Sequence, residues 1–239
     1  MDTTERRFET EIEHSLTTVE PGLRAYESRD PRGFDVDLGL YPDDLIDFVR
    51  ETQPEQWARL ERIHKGHARE RCLKRVASEM DKRGVIEVLR RGVEDVGARI
   101  KLVNRLSIMR QLHYSKRNQN SVDTVLMVNG IPVVTMELKN PLTGQTYRDA
   151  ISQYKKDRSP SELLFKLNRR AIVHFAVDTD EAWMTTKLAG QDTVFLPFNR
   201  GFENGAGNPP AEGNAIRCST SFTALFSSCL TKRIAARIR

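Results

Sequence analysis

The sequence predicts an α/β protein, a helical block followed by a mixed sheet. Up to about residue 97, apolar residues recur at helical spacing and prolines stand where helices would begin. After about residue 98 the pattern changes to short runs rich in β-branched and aromatic residues. One amphipathic segment interrupts those runs, which places strands and helix on a single mixed sheet.

Residues 5–18 read as an amphipathic helix. Phe8, Ile12, Leu16 and Val19 lie at helical spacing among Glu5, Glu9, Glu11 and Glu13. Residues 20–42 are rich in Pro, Gly, Asp and Arg and read as an irregular connection, in which Phe34, Val36, Leu38 and Leu40 alternate as a strand would. Pro42 suits the first turn of a helix through Leu45, Ile46, Phe48 and Val49. Pro54 does the same for one carrying Trp57, Leu60 and Ile63. The next helix, through Leu73, Val76, Ala77 and Met80, is expected to stop at Gly84, and a short one around Val88 and Leu89 near Gly92. MRQLHYS, VDTVLMV, IPVVTMELK, AIVHFAV and EAWMTTK then read as strands. Between the third and fourth, Tyr147, Ala150, Ile151 and Tyr154 share a helical face, with Thr143 as the expected cap. Residues 201–215 are turn-rich and read as a linker. The expected division is 1–97 for the N-terminal helix and helical block, 98–200 for the sheet domain, and 201–239 for a flexible basic tail.

Composition bounds the function. The 239 residues are 38% hydrophobic and 30% charged, enough chain for a substantial core. No apolar run approaches the ~18 residues of a spanning helix, and the N-terminus shows no apolar signal segment. A cytoplasmic location with no membrane partner is therefore expected. Cys72, Cys218 and Cys229 form no CxxC pair, which argues against a disulfide framework and a structural zinc site. The net charge is +5, yet residues after Gly213 hold five Lys/Arg and no acid, while residues 1–200 hold 33 basic and 31 acidic side chains. A nucleic-acid partner is compatible with this charge and not demanded by it.

The chemistry concentrates in SVDTVLMVNGIPVVTMELK, residues 121–139. On the returning strand Glu137 and Lys139 share one face and Leu138 the other. A plain two-residue Asn129-Gly130 turn would set Val122 opposite Glu137. An odd loop or bulge sets Asp123 opposite Glu137 instead and collects Val122, Thr124, Leu126, Val134, Met136 and Leu138 on the apolar face. The odd register is the expected one. Two adjacent carboxylates repel, and a hard divalent cation with oxygen ligands, most simply magnesium, is the obvious reason to keep them. A surface hairpin with a Glu137–Lys139 salt bridge is the plain alternative.

The pattern Asp123…Glu137-x-Lys139 resembles the PD-(D/E)XK nuclease core. VNGIPVVTMELKNPLTGQTYRDAISQYKKDR is similar to the N-terminal nuclease region of the R (HsdR-type) subunit of type I restriction enzymes. LYPDDLIDFVRETQPEQWARL, RGVIEVLRRGVEDVGARIKL and RRAIVHFAVDTDEAWMTTKLAGQDTVFLPFNRGFENGAGNPP look like further stretches of that subunit, so the resemblance spans roughly residues 5–213. It implies a restriction-endonuclease-like mixed sheet flanked by helices, with the nuclease core over 98–200. It implies magnesium-dependent hydrolysis of DNA phosphodiester bonds in restriction of foreign DNA. Asp123 and Glu137 match the metal-binding acids, the Leu138 carbonyl would complete the shell, and Lys139 matches the catalytic lysine. Asn140 and Pro141 follow as in the family's ELKNP run and are expected to shape the exit from the strand. The implied partners are double-stranded DNA and the modification (M) and specificity (S) subunits. ATP enters only through the motor of the full-length family, and no GxxxxGK[ST] loop occurs here. A Gln-x-x-x-Tyr motif of some relatives is matched by Tyr154, but Ala150 stands where its Gln would be and Gln153 is adjacent.

From about Ile216 the sequence departs from the family, and a truncated R subunit with an aberrant tail is expected, with a divergent DNA-contacting tail as the alternative. A non-catalytic remnant that binds DNA or the modification subunits, and a stand-alone nuclease of the same group, are the competing functions. Arg110, Lys116 and Arg117 beside Asp123, extended by Lys155, Lys156 and Arg158 on the following helix, are candidate phosphate contacts. A solvated loop is the alternative for the first three. The resemblance implies that Tyr154 supports the site or contacts DNA. Glu9 and Glu13 read as solvent-facing, with a further site carboxylate as the alternative. His64 and His67 read as solvent-facing, with a metal-ligand pair as the alternative, His113 and Tyr114 as a packed, hydrogen-bonded pair, with a DNA contact as the alternative, and Trp57 and Trp183 as core or half-buried.

Overall fold

The computed structural model describes residues 3–18, 25–102 and 105–198. The expected linker and tail over 201–239, with Cys218 and Cys229, lie outside these residues, as does Val19. Prolines open two of the helices: α2 (Pro42–Thr52) and α3 (Pro54–His64) both carry Pro in the first turn, where its missing N–H is no loss. They follow α1 (Thr3–Thr17) and precede α4 (Ala68–Arg83) and α5 (Val85–Arg91). Gly84 and Gly92, both at positive φ, end α4 and α5.

Seven strands form one sheet: β1 (Glu27–Arg29), β4 (Leu106–His113), β5 (Ser121–Val128), β6 (Ile131–Leu138), β7 (Val173–Val177), β8 (Ala182–Thr185) and β9 (Leu196–Pro197), adjacent in that order. β1 runs parallel to β4 and β6 parallel to β7, and the other pairs are antiparallel. The parallel β6–β7 pair is joined through α6 (Tyr147–Asp157), the crossover such a pair requires. A separate hairpin, β2 (Val93–Asp95) with β3 (Ala98–Ile100), straddles the expected boundary at 97/98. Neither it nor β1 was anticipated. The strand expected over 34–40 is instead a turn closed by a single Asp35–Leu40 bridge, because Gly39 at φ +64 reverses the chain.

Alternate strand positions feed two cores. Leu126, Val134, Met136, Leu138, Phe175 and Val177 pack with α1 to α5, whereas Val125, Met127 and Ala176 pack with Ala150 and Tyr154 of α6. Helices thus cover both faces. Trp57 is buried, and Trp183 is half-buried and stacked on Tyr147 at 5.3 Å.

The β5–β6 register is the odd one, reached differently from the expected loop. Asn129 (φ 50) and Gly130 (φ 74) make a two-residue turn, pairing Val128 with Ile131 and Met127 with Pro132. A bulge then shifts the ladder, so that Leu126 faces Val134 and Thr124 faces Met136. Pro132, which cannot donate to a ladder, sits beside this bulge. Gly130 is obligatory: its carbonyl accepts from the Tyr41 N–H at 2.7 Å, and a Cβ there would lie 2.2 Å from the Tyr41 oxygen. Val122 departs from the expected apolar face and joins the second core. On the neighbouring β4, Gln111 adopts φ 50, and beyond that point Leu112 likewise changes face.

Candidate active site

Asp123, Glu137 and Lys139 come together at the end of the β5–β6 pair. The Leu138 N–H donates to Asp123 Oδ2 at 2.7 Å, tying the acid of one strand to the backbone between Glu137 and Lys139 on the other. Glu137 is fully buried. Its Oε1 accepts from Arg158 Nε at 2.6 Å, and its Oε2 has no hydrogen-bond partner among the described residues. Burial, and then the Asp123 charge, push the Glu137 carboxyl up to about 8, against the opposing pull of Arg158 and Lys139. Lys139 is half-buried, its backbone N–H bonded to the Val177 carbonyl and its Nζ 3.4 Å from Glu5 Oε1 on α1.

Three further residues join this cluster. Arg158, expected on an exposed basic edge, is buried beside Glu137 and donates Nη2 to the Ser121 carbonyl at 2.7 Å. It is the C-cap residue of α6, and from there its guanidinium bridges the neighbouring interior strands β6 and β5. Glu9, expected to face solvent with a further site carboxylate as the alternative, is 2% exposed and follows the alternative. It lies on the same side of α1 as Phe8 and Ile12, whose burial carries it inward. Its Oε2 accepts from Arg110 and its Oε1 from Gln111 Nε2 at 2.8 Å. Burial and the Asp123 charge raise the Glu9 pKa. Gln111, the third residue, also donates to Asp123 Oδ1 at 3.2 Å. The left-handed backbone that aims its side chain leaves no signature in the sequence.

The expected phosphate contacts divide. Arg110 is engaged by Glu9 and Glu13, each at 3.0 Å, so it serves the carboxylate cluster. Glu13 is thereby paired as well. Tyr154 does not reach the surface: it is fully buried, its hydroxyl 2.9 Å from Thr135 Oγ1, because the apolar face of α6 turns it into the second core. Thr135 Oγ1 also meets His174 Nδ1 at 2.8 Å. Lys116 and Arg117 are exposed, with Lys116 paired to Asp37. Lys156 is exposed and Lys155 half-buried on α6.

The capping threonine of α6 is Thr146, in a reciprocal box with Asp149, and not Thr143. Thr143 belongs to a short 3-10 turn (Pro141–Thr143) capped by Asn140, which shapes the exit from β6 as expected. His64 is not solvent-facing: its Nε2 lies 2.8 Å from Asp95, while His67 is exposed. His113 is exposed rather than packed with Tyr114, which is buried with its hydroxyl donating to the Asp157 carbonyl.

Among the described residues, no three His, Cys, Asp or Glu side chains stand together as a metal-holding group. A cation here would rest on the Asp123–Glu137 pair and backbone oxygen. The all-oxygen donor set suits a hard divalent ion, and the orphaned Glu137 Oε2 is the atom such an ion would satisfy. No helix among the described residues is long and apolar enough to cross a membrane.

No curated protein and no solved structure matches the chain. The sequence model described as type I restriction enzyme R protein N terminus matches residues 45–193, more than half of the 239. The matched stretch contains Asp123, Glu137, Lys139 and Arg158, and the mixed sheet with helices on both faces fits a nuclease-like fold. The chain belongs to the family of type I restriction enzyme R proteins, in their N-terminal region.

Proposed function

We propose that this chain carries the DNA-cleaving site of a type I restriction system and hydrolyses phosphodiester bonds with a divalent cation, most simply magnesium. The observation that supports this reading is Glu137 Oε2, a carboxylate oxygen fully buried beside a second acid and left without a partner. Burying such an oxygen unsatisfied costs about 1–3 kcal/mol or more, which a purely structural site would avoid. Asp123, Glu137 and the Leu138 carbonyl would hold the ion, which when bound supplies positive charge to the phosphodiester and lowers the pKa of a water.

The chain's own residues do the rest. Arg158 fixes the Glu137 carboxylate through Oε1 and leaves Oε2 available. The Leu138 N–H fixes Asp123 through Oδ2. Lys139, steadied by Glu5, stands one residue past the end of β6 and two after Glu137, to orient the nucleophile and stabilise charge on the phosphate. Lys116, Arg117, Lys155 and Lys156 contact the DNA backbone without reading sequence. The M and S subunits are the protein partners, and the site of action is the cytoplasm.

Cleavage of supercoiled and linear DNA by the purified chain, with magnesium or EDTA, tests this beside Glu137→Ala and Lys139→Ala. Magnesium-dependent cutting lost in both variants is expected. Cutting that survives either substitution, or a folded chain that cuts nothing, overturns the reading for this chain.

A further inference from the structure

Gln111 occupies a conformation its residue type does not favour. Its φ of 50 lies in the left-handed region, where a side chain with a Cβ costs of order 1–3 kcal/mol and persists only when its surroundings hold it. The contacts that hold it are specific. On β4 it stands between Arg110, paired with Thr124, and Leu112, paired with Val122, so the distortion falls opposite Asp123. Its Nε2 donates to Asp123 Oδ1 at 3.2 Å and to Glu9 Oε1 at 2.8 Å. Its Oε1 accepts from Ser121 Oγ at 2.8 Å. Two carboxylates can only accept when ionised, so the amide nitrogen must face them, and the Ser121 hydroxyl secures the other end.

We infer that Gln111 is a positioning residue for the cation site, its amide spanning Asp123 and Glu9 and fixing the orientation of Asp123 before the cation arrives. The inference rests on the metal-dependent reading above. A carboxylate needs both oxygens anchored to present a defined lone pair to a metal, and Asp123 has its anchors in the Leu138 N–H and Gln111. Arg110 holds the far oxygen of Glu9, so the strand distortion at Gln111 joins an acid of α1 to an acid of β5. Without the amide, Asp123 and Glu9 face one another with no donor between them, and Asp123 keeps a single anchor, the Leu138 N–H, about which its carboxylate can turn.

The test is uptake of Mn2+ alone, followed by electron paramagnetic resonance of the free ion, in wild type, Gln111→Ala and Gln111→Gly. Both variants remove the bridge, while glycine also relieves the left-handed strain, so it stays testable where alanine fails to fold. A loss of about tenfold or more in Mn2+ affinity is expected in both. The glycine variant keeps a thermal midpoint at or above that of the alanine variant, which separates loss of positioning from loss of fold. Wild-type affinity in a folded Gln111→Gly protein overturns this inference alone. A wild-type chain that takes up no Mn2+ overturns the proposed function, and this inference with it.

Discussion

Replacing Glu137 with Gln removes one titrating proton from the core, and the effect on stability has a slope fixed by the structure. In the metal-free protein the Glu137 carboxyl is pushed from 4.5 up to about 8, burial being the larger cause and Asp123 the next. Between those two values the folded chain holds this proton and the unfolded chain has released it. The unfolded state therefore binds fewer protons, and this group makes stability fall as pH rises, by about 1.4 kcal/mol per pH unit. Over the window the stability lost reaches about 5 kcal/mol, undiminished by solvent because the side chain is fully buried. Below pH 4.5 both states hold the proton, so the slope vanishes and the stabilisation is fully present.

Glu137→Gln has no such proton, so its stability relative to wild type should climb with pH across that window. The offset between the two proteins depends on opposing costs, since Gln leaves Arg158 without a carboxylate. The slope does not share that ambiguity. Urea unfolding in EDTA at pH 5, 6.5 and 8, with m held equal, measures it. A difference between the proteins that stays flat over those three pH values would refute the burial argument.

Other perturbations have comparably definite outcomes. Arg158→Met strands the Glu137 carboxyl and the Ser121 carbonyl, and should cost about 3–5 kcal/mol in urea unfolding at pH 8; a loss below about 1 kcal/mol would mean the pair is not buried. His174 is held neutral by burial, its pKa lowered to about 3, so the unfolded chain takes up a proton below 6.5 that the folded chain refuses. Wild-type stability relative to His174→Gln should therefore fall from pH 6.5 toward 4, with a parallel pH dependence of the two proteins as the contrary result. Thr146→Ala removes one half of the α6 capping box and should lower stability by about 1 kcal/mol, read from the thermal midpoint. The Cys72 thiol is buried and pushed up to about 12, so iodoacetamide at pH 8 should leave its peptide unmodified until urea is added. Rapid alkylation of the native chain would place it at the surface.

What the sequence made legible follows from how local each signal is. Pro42 and Pro54 announce α2 and α3 within one turn, and Gly84 and Gly92 close α4 and α5, because these residues act on their own backbone. The odd β5–β6 register was readable because only one parity buries the apolar set while leaving Asp123 beside Glu137. The cap of α6 was readable too and was missed: Thr146 with Asp149 three residues later is a capping signal that Thr143 lacks. The burial of Tyr154 follows from the helical face it shares with Tyr147, Ala150 and Ile151, whereas Arg158 and Glu9 are not readable from spacing. Each sits in a segment that also carries exposed charge, and only its partner, 21 residues away for Arg158 and Glu137 or 102 for Gln111 and Glu9, shows which way it points. Three-residue β1 and the β2–β3 hairpin are likewise too short to carry a period and exist through what they pair with.

The dependence of the site on α1 is the consequence that spacing alone conceals. Phe8, Ile12 and Leu16 bury one stripe of the helix in the larger core, which fixes its rotation and its height on the sheet. Glu5, Glu9 and Glu13 recur every four residues on the adjoining stripe, and once the apolar stripe is docked their destinations are set. Glu5 meets Lys139, Glu9 meets Arg110 and Gln111, and Glu13 meets Arg110 and Ser28. Hydrophobic burial thus does the positioning, while the ionic contacts inherit it. Buried ion pairs contribute little net stability by themselves. A change at Ile12, which touches no charged residue of the cluster in any described hydrogen bond, would therefore disturb the setting of Lys139 and Asp123 through the helix, whereas removing Glu9 would leave the apolar stripe docked and take an acceptor from Arg110 and Gln111.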